Sequence, residues 1–543
     1  MVNQLVMAAA AGLAGSSAVA PETLLPLPPM GFNNWARFTT NISEAIFVDA
    51  AKAMAETGLL AAGYNRINLD DAWSTMDRAA NGSMVWDDAK FPKGFYWLTE
   101  HLKSMGFLPG IYTDAGRRSC GGYPGALDYE QIDLDDFTRW GFEYLKMDGC
   151  NMPGRGEAVY RSIYGRWNKM LRAAEKPMIF SNSAPAYFSG RGLATNNLTN
   201  WYLAMGWAQK FGQLARHSAD IVNYPSGNAW ASMQFNYNQH VRLARYQIPG
   251  FFNDPDFLLV DHPSFSLEEK KSQFALWCAF SAPLILSTEM SALKREEIAY
   301  LTNKHLLAVN QDRLVQQATL VSRDGAWDVL SKSLENGDRV IAVLNKGSTS
   351  GSITVSWDRI GLSPDALLAA EQVLVSVQDL WTGESVDLLA TESRGVTAEN
   401  VPSHGTAVFR LKKSASAVTP TGLIFNTRSM KCLTDQDGES TQVRFATCNG
   451  SDGQTWRVRS DGHIHSLLRR NECLVDVEGE MSTDRAGCQS NAWRYETSGN
   501  LIHGGSGRCL TEGADGRATA AACGIERNEQ VVGLPIGVTV VGN

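Results

Sequence analysis

At 543 residues the chain is too long for one compact core and suggests about three or four units of ordinary domain size. Its 44% hydrophobic and 20% charged residues are ordinary for a soluble globular protein, and a net charge of -8 argues against holding nucleic acid or an anionic membrane by bulk electrostatics. After residue 20 no uncharged apolar run is long enough to span a bilayer.

Residues 1–20, MVNQLVMAAAAGLAGSSAVA, hold an apolar run closed by a small-residue A-V-A site, so they read as a secretory signal peptide and put the protein outside the cell. No Lys or Arg precedes the run and Pro21 would follow the cut, which leaves a disordered or membrane-brushing tail as the alternative. N-x-[ST] triplets at Asn41, Asn81, Asn197 and Asn449 are candidate glycosylation sites.

From about residue 28 to 310, strand-like runs with polar ends alternate with helical patterns: MGFNNW, NRINLDDAW, GIYTDAG, EYLKMDGCN, MIFSNS, ADIVNY, GFFNDPD and PLILSTE. Between them lie segments such as SEAIFVDAAKAMAETG, where Ser43 can cap a helix that Gly58 ends, and WLTEHLKSMG, with Leu98, Leu102 and Met105 on one face. Eight alternating units predict an α/β fold, a (β/α)8 TIM barrel over 21–312.

Side chains alternate across a strand, so Tyr144, Lys146 and Asp148 share one face while Leu145 and Met147 share the other. The apolar face suits the helices. The charged face then points inward and ends at the carboxyl mouth, where enzymes of this fold place their chemistry. Asn68 with Asp70, and Tyr112 with Asp114, repeat the pattern. A plain turn explains any one such end, since Asp, Asn and Gly favour turns, but several in register predict a site.

Beyond Asn310 come short alternating runs without helices, WDVLSKSL, DRVIAVLNKG, GSITVSW and GTAVFRLKK, which predict an antiparallel β-sandwich over 313–413 that buttresses the barrel. SASAVTPTG reads as a linker over 414–422. The last unit, 423–535, is repetitive: KCLTDQDG, ECLVDVEG and RCLTEGADG each open a segment of roughly forty residues, predicting a pseudo-threefold fold. Six of the nine cysteines lie here and pair as Cys432 with Cys448, Cys473 with Cys488, and Cys509 with Cys523, one staple per repeat in an oxidising compartment. Cys120 and Cys150 make a fourth pair, and Cys278 is left as a buried thiol.

The motifs PPMGFNNWARF, INLDDAW, GIYTDAG, YLKMDGC, RHSAD and NDPDF, in this order, resemble the melibiase family of retaining α-galactosidases and α-N-acetylgalactosaminidases across residues 24 to 412. The resemblance implies that Asp148 is the nucleophile and Asp220 the general acid/base. It also implies a terminal-sugar pocket lined by Trp35, Asp70, Asp71, Tyr112, Lys146, Ser183, Ala186, Tyr187, Arg216 and Asp256, with a Cys120–Cys150 disulfide at its wall. A retaining glycosidase needs an ionised carboxylate to attack the anomeric carbon and a second carboxyl, about 5–5.5 Å away, to protonate the leaving oxygen. Lys146 would favour the ionised nucleophile, and the mechanism expects a raised pKa on Asp220. Ala72 departs from the family, where many members carry a cysteine. At FSNSAPAYFSG, Ser183 and Ala186 resemble the small pair of α-N-acetylgalactosaminidases rather than the Glu and Leu of galactose-selective members; Asn182 could reach the same region.

The three repeats, with Gln454-Thr455-Trp456 as a full Q-x-W and Asn491-Ala492-Trp493 and Gln530-Val531-Val532 as degraded copies, resemble the ricin-type β-trefoil lectin module. In that family the Q-x-W residues are structural, while Asp435 and Asp476 could bond sugar, so glycan binding by this unit stays open. The expected activity is therefore secreted exo-hydrolysis of terminal α-linked galactose-type sugars on an oligosaccharide or glycoconjugate, tilted toward N-acetylgalactosamine. A strict α-galactosidase and a non-catalytic lectin are the alternatives. No cofactor and no metal are implied: no Gly-rich phosphate loop sits at a strand-to-helix junction and the nine histidines form no ligand cluster.

Overall fold

The computed structural model describes residues 24–190, 198–362, 374–389, 392–412, 419–438, 440–489, 492–525 and 527–541. The expected signal peptide, Asn197, linker residues 414–418 and Asn491 lie outside the described residues.

The first unit is a ring of parallel strands: β1 (Met30–Asn33), β2 (Arg66–Asn68), β3 (Leu108–Asp114), β4 (Tyr144–Asp148), β5 (Ile179–Asn182), β6 (Leu214–Arg216), β7 (Phe252–Asp254) and β8 (Leu284–Leu286). Neighbours pair in parallel from β7 round through β1 to β8, and a parallel bridge between Leu258 and Leu286 closes the ring. The sixth strand corrects the sequence reading. It is the short Leu214–Arg216, whereas ADIVNY forms an irregular segment after the strand. Asp220 therefore sits on a loop beyond the strand end, and only Arg216 takes the strand-end position.

The pleat separates two environments. Outward residues Ile67, Ile111, Leu145 and Met147 have no exposed surface and join the main core under the helices. Inward residues Tyr144, Ile179, Leu214 and Phe252 form a separate apolar plug with Leu25 and Val315. Above this plug, toward the carboxyl ends, the inward positions turn polar: Lys146 pairs with Ser181 in the ladder, and Arg216 with Asp254. The plug closes the barrel floor, so a polar ligand enters from the rim alone.

The helix Glu44–Glu56 forms where expected, buries Phe47, Ala51 and Met54, and stops before Gly58 at φ +83°, a conformation that favours glycine. Ser43 holds the N-cap position in an extended conformation without a side-chain bond to the helix. Helix Gly94–Ser104 buries Leu98 and Leu102 on the predicted face.

The second unit pairs a six-stranded antiparallel sheet with a two-stranded one. Its strand Arg339–Asn345 is buried along its length, with Ile341 and Val343 in the sandwich core while Val340, Ala342 and Leu344 join the barrel core. This sheet thus serves two cores at once. The third unit is a curled sheet of short strands around Leu433, Phe445, Trp456, Leu474, Met481, Trp493 and Leu510, consistent with a β-trefoil. It rests on both others: the Tyr202 and Thr427 hydroxyls lie 2.6 Å apart, and Asp358 of the sandwich accepts from Arg457 and Arg470, each at 2.7 Å.

Candidate active site

The rim gathers two ionic clusters around Asp148. In the first, Lys146 Nζ donates to Asp70 Oδ2 at 2.7 Å, an oxygen that also accepts from Asn33 Nδ2 at 2.7 Å. Asn34 Oδ1 accepts from the Asp70 amide, and Asn33 Oδ1 from the Trp35 amide, so the two asparagines of MGFNNW fix the carboxylate and the indole beside it. Burial alone would discharge Lys146; the carboxylates of Asp70 and then Asp148 hold it above its ordinary value. Asp71 accepts from the backbone amides of Ala72 and Gly121, both at 2.7 Å, and burial raises its pKa.

In the second cluster Arg216 Nη2 meets Asp220 Oδ1 at 2.9 Å and Asp256 Oδ2 at 2.8 Å. Asp256 has φ +81°, strained for a residue with a side chain, and is held there by its amide bonding Asp254 Oδ1 and by the Ile221 amide bonding its own Oδ2. Burial pushes Asp256 up to about 7 against the pull of Arg216. Phe257 follows it and packs near both cations, 5.4 Å from Lys146 Nζ and 5.9 Å from Arg216 Cζ, ring centre to charge.

Asp148 is raised by burial, with Lys146 opposing and the Asp220 charge reinforcing. Asp220 is 59% exposed at its side chain. Its partial enclosure works to raise it, but Arg216, Lys146 and the Trp35 indole outweigh this and hold it below the ordinary carboxylate range. The expectation of a raised pKa on Asp220 is thus corrected for the free protein: the Arg216 ion pair favours the ionised form.

At strand five, Ser183 is buried, its Oγ without a partner among the described residues, and Ala186 is half-buried in the 3-10 turn Ala184–Phe188 that crosses the end of β5. Asn182 does not share this region. It is level with Met147, on the helix-facing side, and its Oδ1 accepts from the Ala184 amide. The Tyr112 hydroxyl, Asp256 Oδ1 and Arg216 Nε are likewise buried without a partner among the described residues, so the pocket keeps donors and acceptors in reserve. Cys120 and Cys150 are joined, and the Tyr187 hydroxyl lies 3.1 Å from Cys150 Sγ.

Sequence reasoning passed over Asp114 as a site residue. It stands level with Asp148 in the ladder, has no exposed surface, and accepts from the Gly116 and Cys150 amides at 2.7 and 2.8 Å. Burial and then the Asp148 charge push it up to about 8. The signal was present in GIYTDAG, where Asp114 ends an inward face. Asp254, inward beside Arg216, was missed in the same way.

A closed ring of parallel strands with its ionisable side chains gathered at the carboxyl rim is the architecture of a barrel enzyme. The alpha galactosidase A (melibiase) family model matches residues 27–312, the alpha galactosidase C-terminal beta sandwich model 324–411, and the ricin-type beta-trefoil lectin model 420–531. The chain belongs to the melibiase family. It is 47% identical over 532 residues to alpha-galactosidase A of Aspergillus niger, covering 95% of this chain and 93% of that one. It is 33% identical over 357 residues to alpha-galactosidase 2 of Arabidopsis thaliana, covering 65% and 82%. Among solved structures, alpha-galactosidase I from Mortierella vinacea superposes with a TM-score of 0.64 at 27% identity, covering 73% of this chain and 99% of that one.

Proposed function

We propose that the chain is a secreted, retaining exo-α-galactosidase with Asp148 as nucleophile and Asp220 as general acid/base. The observation that carries this is the convergence, around Asp148, of the Asp70–Lys146 pair and the Arg216–Asp220–Asp256 cluster. An Asp148 oxygen attacks the anomeric carbon while the bond to the aglycone oxygen breaks and that oxygen takes a proton from Asp220. Water then adds to the same carbon, gives its proton to Asp220, and releases the Asp148 carboxylate. Asp70, Asp71 and Lys146 bond the sugar hydroxyls, Trp35 covers a face of the ring, and the plugged floor limits the enzyme to terminal sugars. Four disulfides and the exposed triplet asparagines Asn41, Asn81 and Asn449 support an extracellular setting. Among the described residues no helix is long and apolar enough to cross a membrane.

Ser183 Oγ, without a partner among the described residues and beside small Ala186, favours a further feature: room and a hydroxyl for an acetamido group at C2, and hence cleavage of α-N-acetylgalactosaminides as well. The test is initial rates on paired aryl α-galactoside and aryl α-N-acetylgalactosaminide, with Asp148→Asn as blank. Turnover of the galactoside supports the main reading, and inactivity on both removes it. A preference for the N-acetyl sugar supports the tilt read at strand five; equal or better turnover of the galactoside overturns that tilt.

A further inference from the structure

The two carboxylate oxygens of Asp148 have unlike surroundings. Oδ1 accepts from the Tyr187 hydroxyl and, at 3.1 Å, from the Gly149 amide. Among the described residues Oδ2 accepts no hydrogen bond. The Tyr187 oxygen itself accepts from the Gly149 amide at 3.1 Å, so its single proton is committed to the carboxylate, a better acceptor than the disulfide sulfurs of Cys150 and Cys120 at 3.1 and 3.7 Å. The ring is fixed as well. It lies 5.4 Å from the Tyr160 ring, and the Tyr160 hydroxyl donates to the Gly149 carbonyl at 2.8 Å.

We infer that Tyr187 is a positioning residue of the reaction rather than a wall of the sugar pocket: it holds Oδ1 so that Oδ2 attacks, and it stabilises the carboxylate as it departs. This rests on the reading of Asp148 as nucleophile. In the first step a bond forms from Oδ2 to the anomeric carbon while the aglycone oxygen leaves with the Asp220 proton. In the second, water replaces Oδ2, its proton returns to Asp220, and the electron pair of the broken bond restores the carboxylate. The phenol keeps its proton throughout.

A donor on Oδ1 weakens the nucleophile slightly in the first step and improves the leaving group in the second. Other groups acting on Asp148 are Lys146, Asp70, Asp114 and Asp220, with the phenols of Tyr112, Tyr160 and Tyr164 nearby. Lys146 supplies charge, but among the described residues Tyr187 is the side chain that bonds the carboxylate itself.

The test is Tyr187→Phe, which keeps the ring, on an aryl α-galactoside with a good leaving group. We expect kcat to fall about 10- to 100-fold, the worth of a hydrogen bond to a charged group. We expect KM to fall with it, because the glycosyl-enzyme accumulates, and a burst of aryl alcohol approaching one equivalent per chain to appear. The alkaline limb of kcat/KM, the one Asp148 sets in the order shown by the free protein, should move to higher pH, since the lost donor favoured the ionised carboxylate. A purely structural role would lower active fraction without a burst or a moved limb, and that result overturns the inference. Should the variant fail to fold, burst kinetics of the wild-type protein bearing ring-fluorinated tyrosines apply the same test: deglycosylation that responds to phenol acidity supports the role, and deglycosylation indifferent to it overturns the role. Asp148→Asn separates the two levels. If it stays active, the nucleophile reading fails; if it is inactive and Tyr187→Phe shows neither burst nor shift, only the Tyr187 role fails.

Discussion

Asp148 and Asp220 are poised in opposite senses in the free protein, the first raised by burial and the second held low by Arg216 despite its partial enclosure. Activity needs the reverse assignment, Asp148 ionised and Asp220 protonated, so the productive form is a minor one whose amount is bounded by both titrations. The expected kcat/KM profile is a bell, its alkaline limb set by Asp148 and its acidic limb by Asp220 wherever their macroscopic values remain in that order. Arg216→Lys, whose shorter side chain ends in a point charge in place of the Nη2 that meets both Asp220 and Asp256, should shift the Asp220 limb to higher pH and lower kcat/KM by about tenfold. A pH-rate profile of both chains checks this; an unmoved limb means that Arg216 does not govern Asp220. Asp114→Asn should lower kcat by about 10²-fold through displacement of the Gly149–Cys150 backbone, with KM little changed. Steady-state kinetics decide it, and unchanged kcat would leave Asp114 a purely internal clamp. Residue identities at strand ends were legible because alternation forces them inward. The charge state of Asp220 was not, because its partner Arg216 lies on a strand whose placement the sequence blurred.

Alternation made seven of the eight barrel strands readable, and the sixth shows where it fails. Leu214–Arg216 offers only Leu214 and Ala215 between the polar Gln213 and His217, while ADIVNY offered a better apolar run in the wrong place. In the trefoil the repeats proved more regular than their sequences. Gln454 accepts from Asn449 N and donates to Thr434 Oγ1 and Thr447 O; Gln530, in a degraded copy, accepts from Gly524 N and donates to Thr511 Oγ1 and Ala522 O. Trp456 and Trp493 each donate from the indole to a strand carbonyl, Leu433 and Leu474. Each copy keeps at least one of the two structural contacts. The acids after each cysteine are likewise engaged within the fold: Asp435 with Ser466 and Arg469, Asp476 with Ser506 and Arg508, and Glu512 with Ser429 and Lys431. Asp435 closes its own segment, Asp476 reaches Arg508 at the start of the third, and Glu512 reaches back to Lys431 at the start of the first. Asp435→Ala should therefore destabilise the trefoil by about 1–3 kcal/mol, through loss of the buried carboxylate's bonds to Ser466 and Arg469. Denaturant unfolding checks it; unchanged stability with lost glycan binding would instead make Asp435 a sugar ligand.

The three units share cores, and two buried charges at the barrel–sandwich boundary set how that assembly responds to pH. Asp328 is enclosed, paired with Arg323 at 2.5 Å and Lys346 at 2.7 Å, and bonded by the barrel's Tyr237. Burial works to raise it, but Arg323 and Lys346 hold it low, so its contribution is present above the ordinary carboxylate value and is lost only as pH falls through its lower folded value. Lys332 is the opposite case. Its ammonium bonds Ser281 Oγ and the Val309 carbonyl, and burial lowers it to about 7 from 10.5. The unfolded chain binds the extra proton between those values, so stability rises with pH across that window and the full penalty stands below about 7. Lys332→Met should stabilise the protein by about 1–4 kcal/mol, more at pH 6 than at pH 9. Melting midpoints at the two pH values check it, and a loss of stability at both would mean that the two hydrogen bonds outweigh the buried charge. This layer was illegible in sequence, since nothing local in WDVLSKSL says that Lys332 meets a barrel helix.

The central claim is that the barrel rim hydrolyses α-galactosides through a covalent bond to Asp148. The most direct measurement is mass-spectrometric peptide mapping after trapping with 5-fluoro-α-galactosyl fluoride, a substrate whose glycosyl-enzyme is slow to turn over. The account predicts a single fluorogalactosyl adduct on Asp148, within the peptide carrying YLKMDGC, and none in the Asp148→Asn chain. An adduct on a different carboxylate, or steady hydrolysis with β-galactose released first and no adduct, would contradict it.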